Sequence, residues 1–304
     1  MANGLEEEGL FARDMPTVAP DLLTDILCVL AQQNDDAVRN PEDFLDHLAP
    51  TDTVELVFRS CSHLNLPLFV QFMAVEYLDR FLVKHVRDLR SQLGLPGSSV
   101  SWDSVMTRLK DQVLLRVLSC VQIASKKFYS SRVVSINAVR RFLRSASQSY
   151  SAASVLQSEK RVLSTLQFRV EFPTPLVYLE VLLDVIGHND PSFEGEEVYP
   201  AAVRVLQGFY LMRIQVYDMA LRDLLPDGAA CDDRRRRMVR AFKADQLLLA
   251  SAIILSAVQL TFPCKYKRVL GHMHLVTRLA KRELQSLSSI LMAVLSSEAG
   301  PATE

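Results

Sequence analysis

Three clusters of side chains could do chemistry. His272, Met273 and His274 follow eight to ten residues after Cys264. Imidazole and thiolate bind zinc, but a structural zinc normally takes four ligands, and no fourth stands at a recognisable spacing. Two histidines on a helical stretch read first as surface or capping residues. Asp232 and Asp233 precede the run Arg234–Arg237. The aspartates suit the positive end of a helix, and the arginines suit acidic partners or an import receptor. Arg140, Arg141 and Arg144, with Lys126, Lys127 and Arg132 close in sequence, form a second basic patch. The chain as a whole carries a net charge of −1, so direct nucleic-acid binding is disfavoured, and the patch reads as a solvated helix face. GxGxxG, GxSxG and a GxxxxGK phosphate cradle are all missing. No catalytic set, cofactor site or metal site is signalled, and the expectation is a protein that is not an enzyme.

The elements behind these side chains are helical. At 304 residues, with 49% hydrophobic and 23% charged residues, the chain can fill one large core or two ordinary ones. Five dispersed cysteines (Cys28, Cys61, Cys120, Cys231, Cys264) without a CxxC pair suit a reducing compartment. The acidic start MANGLEEEGLFARDM lacks the order of a signal peptide. The longest apolar run, Leu247–Val258, is twelve residues, short of the roughly twenty that cross a bilayer. A soluble intracellular protein is expected.

Residues 1–20 read as a flexible acidic tail. Asp21 is placed as the cap of a helix through Leu22, Ile26, Val29 and Leu30, and Asn40-Pro41-Glu42 begins a short turn carrying Phe44, Leu45 and Leu48. Thr51-Asp52-Thr53 offer caps for a helix through Cys61, and Pro67 opens a helix over Leu66–His85. Gln92–Ser101 reads as a loop, Trp102–Lys110 as a short helix, and Val113–Phe128 as a helix apolar almost all round, hence enclosed by others. Helices over Ser135–Ser145 and Ala152–Gln167 lead to the corner Phe172-Pro173-Thr174-Pro175, where both prolines bias the preceding residue away from helix. The second half repeats this style. It has a helix over Thr174–Ile186, one long or two short helices over Tyr199–Leu224, and a turn over Leu225–Asp233. A buried helix lies within Arg234–Leu260, and a last helical region covers Leu270–Leu295. No strand alternation persists. The expected organisation is an all-α chain with one domain over 21–172, a second over 173–295 and a tail over 296–304.

Local matches in order add a family to this reading. Tyr77-Leu78-Asp79-Arg80-Phe81-Leu82 comes first, and Ala124-Ser125-Lys126 follows at the end of the enclosed helix. Ser158–Val170, with Glu159 ahead of a leucine-rich turn and Phe168, then closes on Pro173-Thr174-Pro175. These resemble the second, third and fifth helices of a cyclin box. The resemblance implies tandem five-helix cyclin folds, the second diverged, with Tyr77, Asp79, Arg80 and Phe81 as the structural motif.

In kinase-activating cyclins a lysine on the third helix and a glutamate on the fifth contact the kinase. By resemblance these are Lys126 and Glu159, with Lys127, Phe128 and Tyr129 beside them where the family usually has acidic residues. The arginine that commonly pairs with the motif aspartate is missing around Pro50-Thr51-Asp52, so Asp79 is expected to pair elsewhere or face solvent. The arginine–leucine recruiting patch of cell-cycle cyclins is not evident. A single well-formed box and a long insertion between the second and third helices resemble a member associated with meiotic crossover maturation. The implied partner is a cyclin-dependent kinase. The alternative is a scaffold for recombination or ubiquitin-ligase proteins. The implied locations are the nucleus, on chromosomes, and the cytoplasm.

Overall fold

The computed structural model describes residues 19–41, 48–93, 101–129, 133–224 and 233–298. Among these residues the chain is all-α, with thirteen α-helices, one 3-10 turn and no strand. Expectations for the two tails, the turn after Pro41, the loop before Ser101, Arg132, Cys231 and Asp232 lie outside the described residues. No single described helix is long and apolar enough to cross a membrane.

The chain divides into two compact units. The first takes its described residues from 47–172, and the second from 14–46 and 173–304. The first unit holds α2 (Thr51–His63), α3 (Leu68–Leu93), α4 (Trp102–Asp111), α5 (Val113–Phe128), α6 (Ile136–Ser145) and α7 (Ala152–Thr165). Serine hydroxyls set three of its helix starts. Ser101, Ser135 and Ser151 each accept from the backbone N–H three residues on, satisfying donors that the first turn leaves open. Two ends differ from expectation. α2 starts at Thr51 with Pro50 as its cap and no side-chain cap bond. α3 runs on from His85 to Leu93, past exposed Arg87, Asp88, Arg90 and Ser91, which continue the helix without an apolar stripe.

α5 is the enclosed helix of this unit, with every residue from Leu114 to Ser125 buried. α2, α3, α6 and α7 surround it. Val117, Leu118, Val121 and Ala124 are fully buried, facing the apolar sides of α2 and α3 that carry Val54, Val57, Val70 and Ala74.

The second unit holds α1 (Pro20–Arg39), α8 (Pro175–Asn189), α9 (Gly195–Leu224), α10 (Asp233–Ala244), α11 (Gln246–Thr261), α12 (Tyr266–Thr277) and α13 (Lys281–Glu298). α9 is a single helix that runs through Pro200. The buried stretch is a separate helix, α11, capped by the Asp245 carboxylate on the Leu248 N–H at 2.9 Å. Residues Leu247–Val258 are buried without interruption, surrounded by α8, α9, α12 and α13.

The placement of α1 corrects the expected boundary at residue 21. The helix belongs to the second unit, not to the first. Asn34 explains the choice. Its side chain donates to Asp245 Oδ1 at 3.0 Å and accepts from the Leu247 N–H at 3.1 Å, closing the start of α11 from outside. Tyr178 of α8 adds a hydrogen bond from its hydroxyl to the Leu30 carbonyl at 3.1 Å. α1 begins at Pro20, with Asp21 in the first turn and not at the cap.

Candidate functional site

Polar residues recur every third position along α5: Arg116, Ser119, Gln122 and Ser125, all buried. Such spacing makes each a neighbour of the next along a line that winds about 60° per step around the helix, and each is tied across to another element. Arg116 donates to Ser158 of α7 at 2.7 Å, and Ser119 shares that hydroxyl at 2.7 Å. Gln122 donates to the Val134 carbonyl at 3.1 Å, and Ser125 accepts from the Val134 N–H at 3.1 Å. This seam fixes α5 against α7 and against the chain entering α6, because sliding either helix would leave buried polar groups unpaired.

The seam ends at Lys126. Its ammonium donates to Glu159 Oε1 at 2.6 Å, and the Lys126 side chain is 41% exposed against 10% for Glu159. Glu159 directly follows Ser158, so the hydrogen bonds that anchor Ser158 also place the carboxylate. The structure thus brings together two residues that stand 33 positions apart. Lys127 turns to Glu171, whose carboxyl it holds below the usual carboxylate range through their hydrogen bond. Phe128 and Tyr129 are half-buried, edge-on to Phe69 of α3 with ring centroids 6.4 and 6.3 Å away.

The Tyr77–Phe81 motif holds both ends of the first unit. Asp79 is buried and accepts from the Ala49 N–H, just before α2, at 2.7 Å. Of the two expected outcomes for Asp79, it pairs elsewhere and does not face solvent. Tyr77 donates to the Val170 carbonyl at 2.7 Å and packs edge-on to Phe172. The Arg80 guanidinium lies 3.6 Å over the Phe172 ring, a cation–π contact. Phe81 is fully buried and stacks on His85 with centroids 4.9 Å apart.

Among the described residues, three large apolar side chains of this unit are exposed, one of them Phe168 of the matched segment. Phe168 is 67% exposed and sits at φ 58°, directly after Gln167 at φ 55°. Two successive left-handed residues end α7 and turn the ring outward. A bulky residue there is strained backbone of the kind that collects at functional positions. Leu156, one turn before Glu159, is 49% exposed, and Val133, beside the Ser125–Val134 bond, is 45% exposed. Val133, Val134, Leu64 and Phe142 also line a groove of about 500 Å³, with His63 and Arg141 at its edge. A positive φ on a large residue cannot be read from sequence, although Phe168 lies within the matched Ser158–Val170 segment.

The other reactive clusters lie apart. Among the described residues no group of three or more His, Cys, Asp or Glu is placed to hold a metal ion. His274 Nδ1 pairs with the Leu279 carbonyl at 2.8 Å, a capping contact. Arg140 donates to the Tyr150 carbonyl at 3.2 Å, and Arg144 to the Arg140 carbonyl at 3.4 Å. Arg237 of α10 reaches the Arg39 carbonyl of α1 at 3.0 Å.

Comparison with known proteins follows the same order along the chain. The profile of the family described as "Cyclin, N-terminal domain" matches residues 25–171. Human (Homo sapiens) cyclin N-terminal domain-containing protein 1 is 30% identical over 291 residues, covering 94% of this chain and 87% of that protein. The mouse (Mus musculus) protein of the same name is 29% identical over 291 residues, covering 94% of this chain and 86% of that protein.

Proposed function

The chain belongs to the cyclin family, and from that premise we propose that it is a non-catalytic regulator that binds a cyclin-dependent kinase through the end of α5. The observation that carries this reading is the Lys126–Glu159 pair. Two opposite charges are held in fixed geometry by a buried hydrogen-bonded seam, with exposed Leu156 on the same helix as the glutamate. A docking helix finds there an ammonium, a carboxylate and apolar contacts, and a charged pair that is desolvated on binding can carry a large share of the affinity. Binding would favour the active state of the kinase by differential affinity for that state. By resemblance to its relatives we assign the complex to maturation of meiotic crossovers, in the nucleus and on chromosomes, with a cytoplasmic pool.

The test exchanges the charges. The pair Lys126→Glu with Glu159→Lys keeps an attraction inside the protein, so the melting temperature should stay within a few degrees. Affinity purification from meiotic tissue should recover a kinase with the wild type and lose it with the exchanged pair, at least ~30-fold, from hot-spot losses of ~2 kcal/mol. Equal recovery of the kinase by both proteins would sink the reading.

A second reading has its own support. Lys126 and Glu159 already satisfy each other, and Lys127, Phe128 and Tyr129 are engaged by Glu171 and Phe69. A scaffold that keeps the fold and recruits recombination or ubiquitin-ligase proteins would look this way. Its signature is a wild type that brings down no kinase while other partners survive the exchange.

A further inference from the structure

α5 opens on a buried charge. Arg116 is 7% exposed, its Nη1 donates to Ser158 Oγ at 2.7 Å and its Nη2 to Gln112 Oε1 at 2.9 Å. Its Nε is buried with no hydrogen-bond partner, and among the described residues no carboxylate forms an ion pair with it. A guanidinium taken out of water and given only neutral partners is a costly arrangement.

More positive charge gathers at the same place. Arg161 stands three residues after Ser158, on the same side of α7, and is exposed. His85, 8% exposed, stacks on the Phe81 ring, and the Arg116 guanidinium carbon lies 5.8 Å from that ring. Burial first, then Arg116 and Arg161, hold the His85 imidazole below its ordinary pKa. Burial and then Arg161 push Arg116 down as well, though a guanidinium stays charged. The first-turn N–H groups of α5 add partial positive charge, against the carbonyl end of α4 and the exposed Asp111 next to them. The acid that acts on His85, Asp88, lies one turn farther along α3 and is exposed.

We propose that Arg116, Arg161 and the start of α5 form a binding site for a phosphate monoester. Two permanent guanidiniums match the charge of a phosphate dianion, and their planar forks fit its oxygens. A single carboxylate would neutralise only one of them. Ser158 and Gln112 already hold the Arg116 fork in place, so the ligand meets an oriented donor set. A phosphorylated partner segment and free phosphate offer the same head group.

Isothermal titration of the full-length protein at constant ionic strength tests this. The probes are sodium phosphate, the peptide acetyl-Ala-Ala-phosphoSer-Ala-Ala-amide and its unphosphorylated form. Saturable binding of phosphate is expected, weakened at least tenfold by Arg161→Gln and abolished by Arg116→Met. Arg282→Gln, an exposed residue of α13 in the other unit, should bind like the wild type. Arg161→Gln changes an exposed residue and keeps the test readable if Arg116→Met does not fold. A phosphopeptide tighter than free phosphate by tenfold, with no binding of the unphosphorylated form, assigns the site to a phosphorylated partner. Equal affinities assign it to free phosphate. No saturable binding of either phosphate probe, or equal loss in Arg161→Gln and Arg282→Gln, overturns the proposal.

Discussion

α5 and α11 are each sixteen residues long, and each lies at the centre of its unit. α11 keeps its polar content to itself. Ser251 and Ser256 bond carbonyls four residues back on their own helix, at 2.7 and 2.8 Å, and Ser256 adds one contact, to Ser288. The helix then runs out into Leu260, which is 56% exposed. α5 instead spends every third position on a bond to another element and ends on a lysine paired to α7. Two helices of equal burial therefore build different surfaces. A mostly dry core holds its neighbours chiefly by packing and constrains their relative register less. A polar seam specifies register, and in the first unit its far end carries the Lys126–Glu159 pair.

The largest effects should come from putting an unpaired carboxylate into either centre. Ile123→Asp and Ile254→Asp each replace a side chain that is at most 5% exposed. Each should cost about 4 kcal/mol or more, and denaturant unfolding should show loss of the unit that carries the change. If either variant abolished both transitions, the two centres would not be independent.

Next in size is a titration confined to the second unit. Glu180 of α8 is buried, and its pKa is pushed up to about 7 from an ordinary 4.5, mainly by burial. The Tyr199 hydroxyl, donating at 2.8 Å, pulls the other way, and Asp184 raises it further. A raised carboxyl pKa favours the folded state fully below about pH 4.5, and that contribution is lost as pH rises through about 7. The full loss is on the order of 3 kcal/mol. Glu180→Gln should therefore raise the urea midpoint of the second unit at pH 8 and leave it nearly unchanged at pH 4.5, with the first unit unaffected.

The smallest test compares one serine from each helix. Ser125→Ala removes the acceptor of the Val134 N–H and breaks a bond between elements, for about 2 kcal/mol. Ser251→Ala removes a hydroxyl that bonds only its own helix, for less than about 1 kcal/mol. Equal losses in thermal melts would remove the distinction between seam and dry core.

Much of this layout was legible in the sequence. The all-apolar runs gave the position of both central helices, and for α5 both ends, because burial on every side leaves an unmistakable pattern. Lys126 and Glu159 were recognisable through the matched motifs. Three features were not. The expected run of Leu22, Ile26, Val29 and Leu30 on α1 leaves Leu22 and Val29 exposed; the helix packs through Leu23 and Leu30, and Asn34 supplies the address only once folded. Asp79 found a backbone N–H in place of an arginine, and backbone donors leave no mark on sequence. Arg116 stood within an apolar run and gave no sign of being buried without a counter-ion.

The location of α1 sets an order of events during synthesis. Its binding site includes the start of α11, so a helix finished by residue 39 must wait for more than two hundred further residues before that site is complete. At a translation speed of about 5–20 residues per second this is a delay of roughly ten seconds or more. Through that time the first unit can emerge and fold with its own sequence complete, while the site of α1 is still unfinished. A binding protein of the ribosome exit or a chaperone has its natural window there. The same geometry says where to cut. A fragment ending near residue 172 should begin near residue 48, since one beginning at the N-terminus retains a helix whose site has been thrown away.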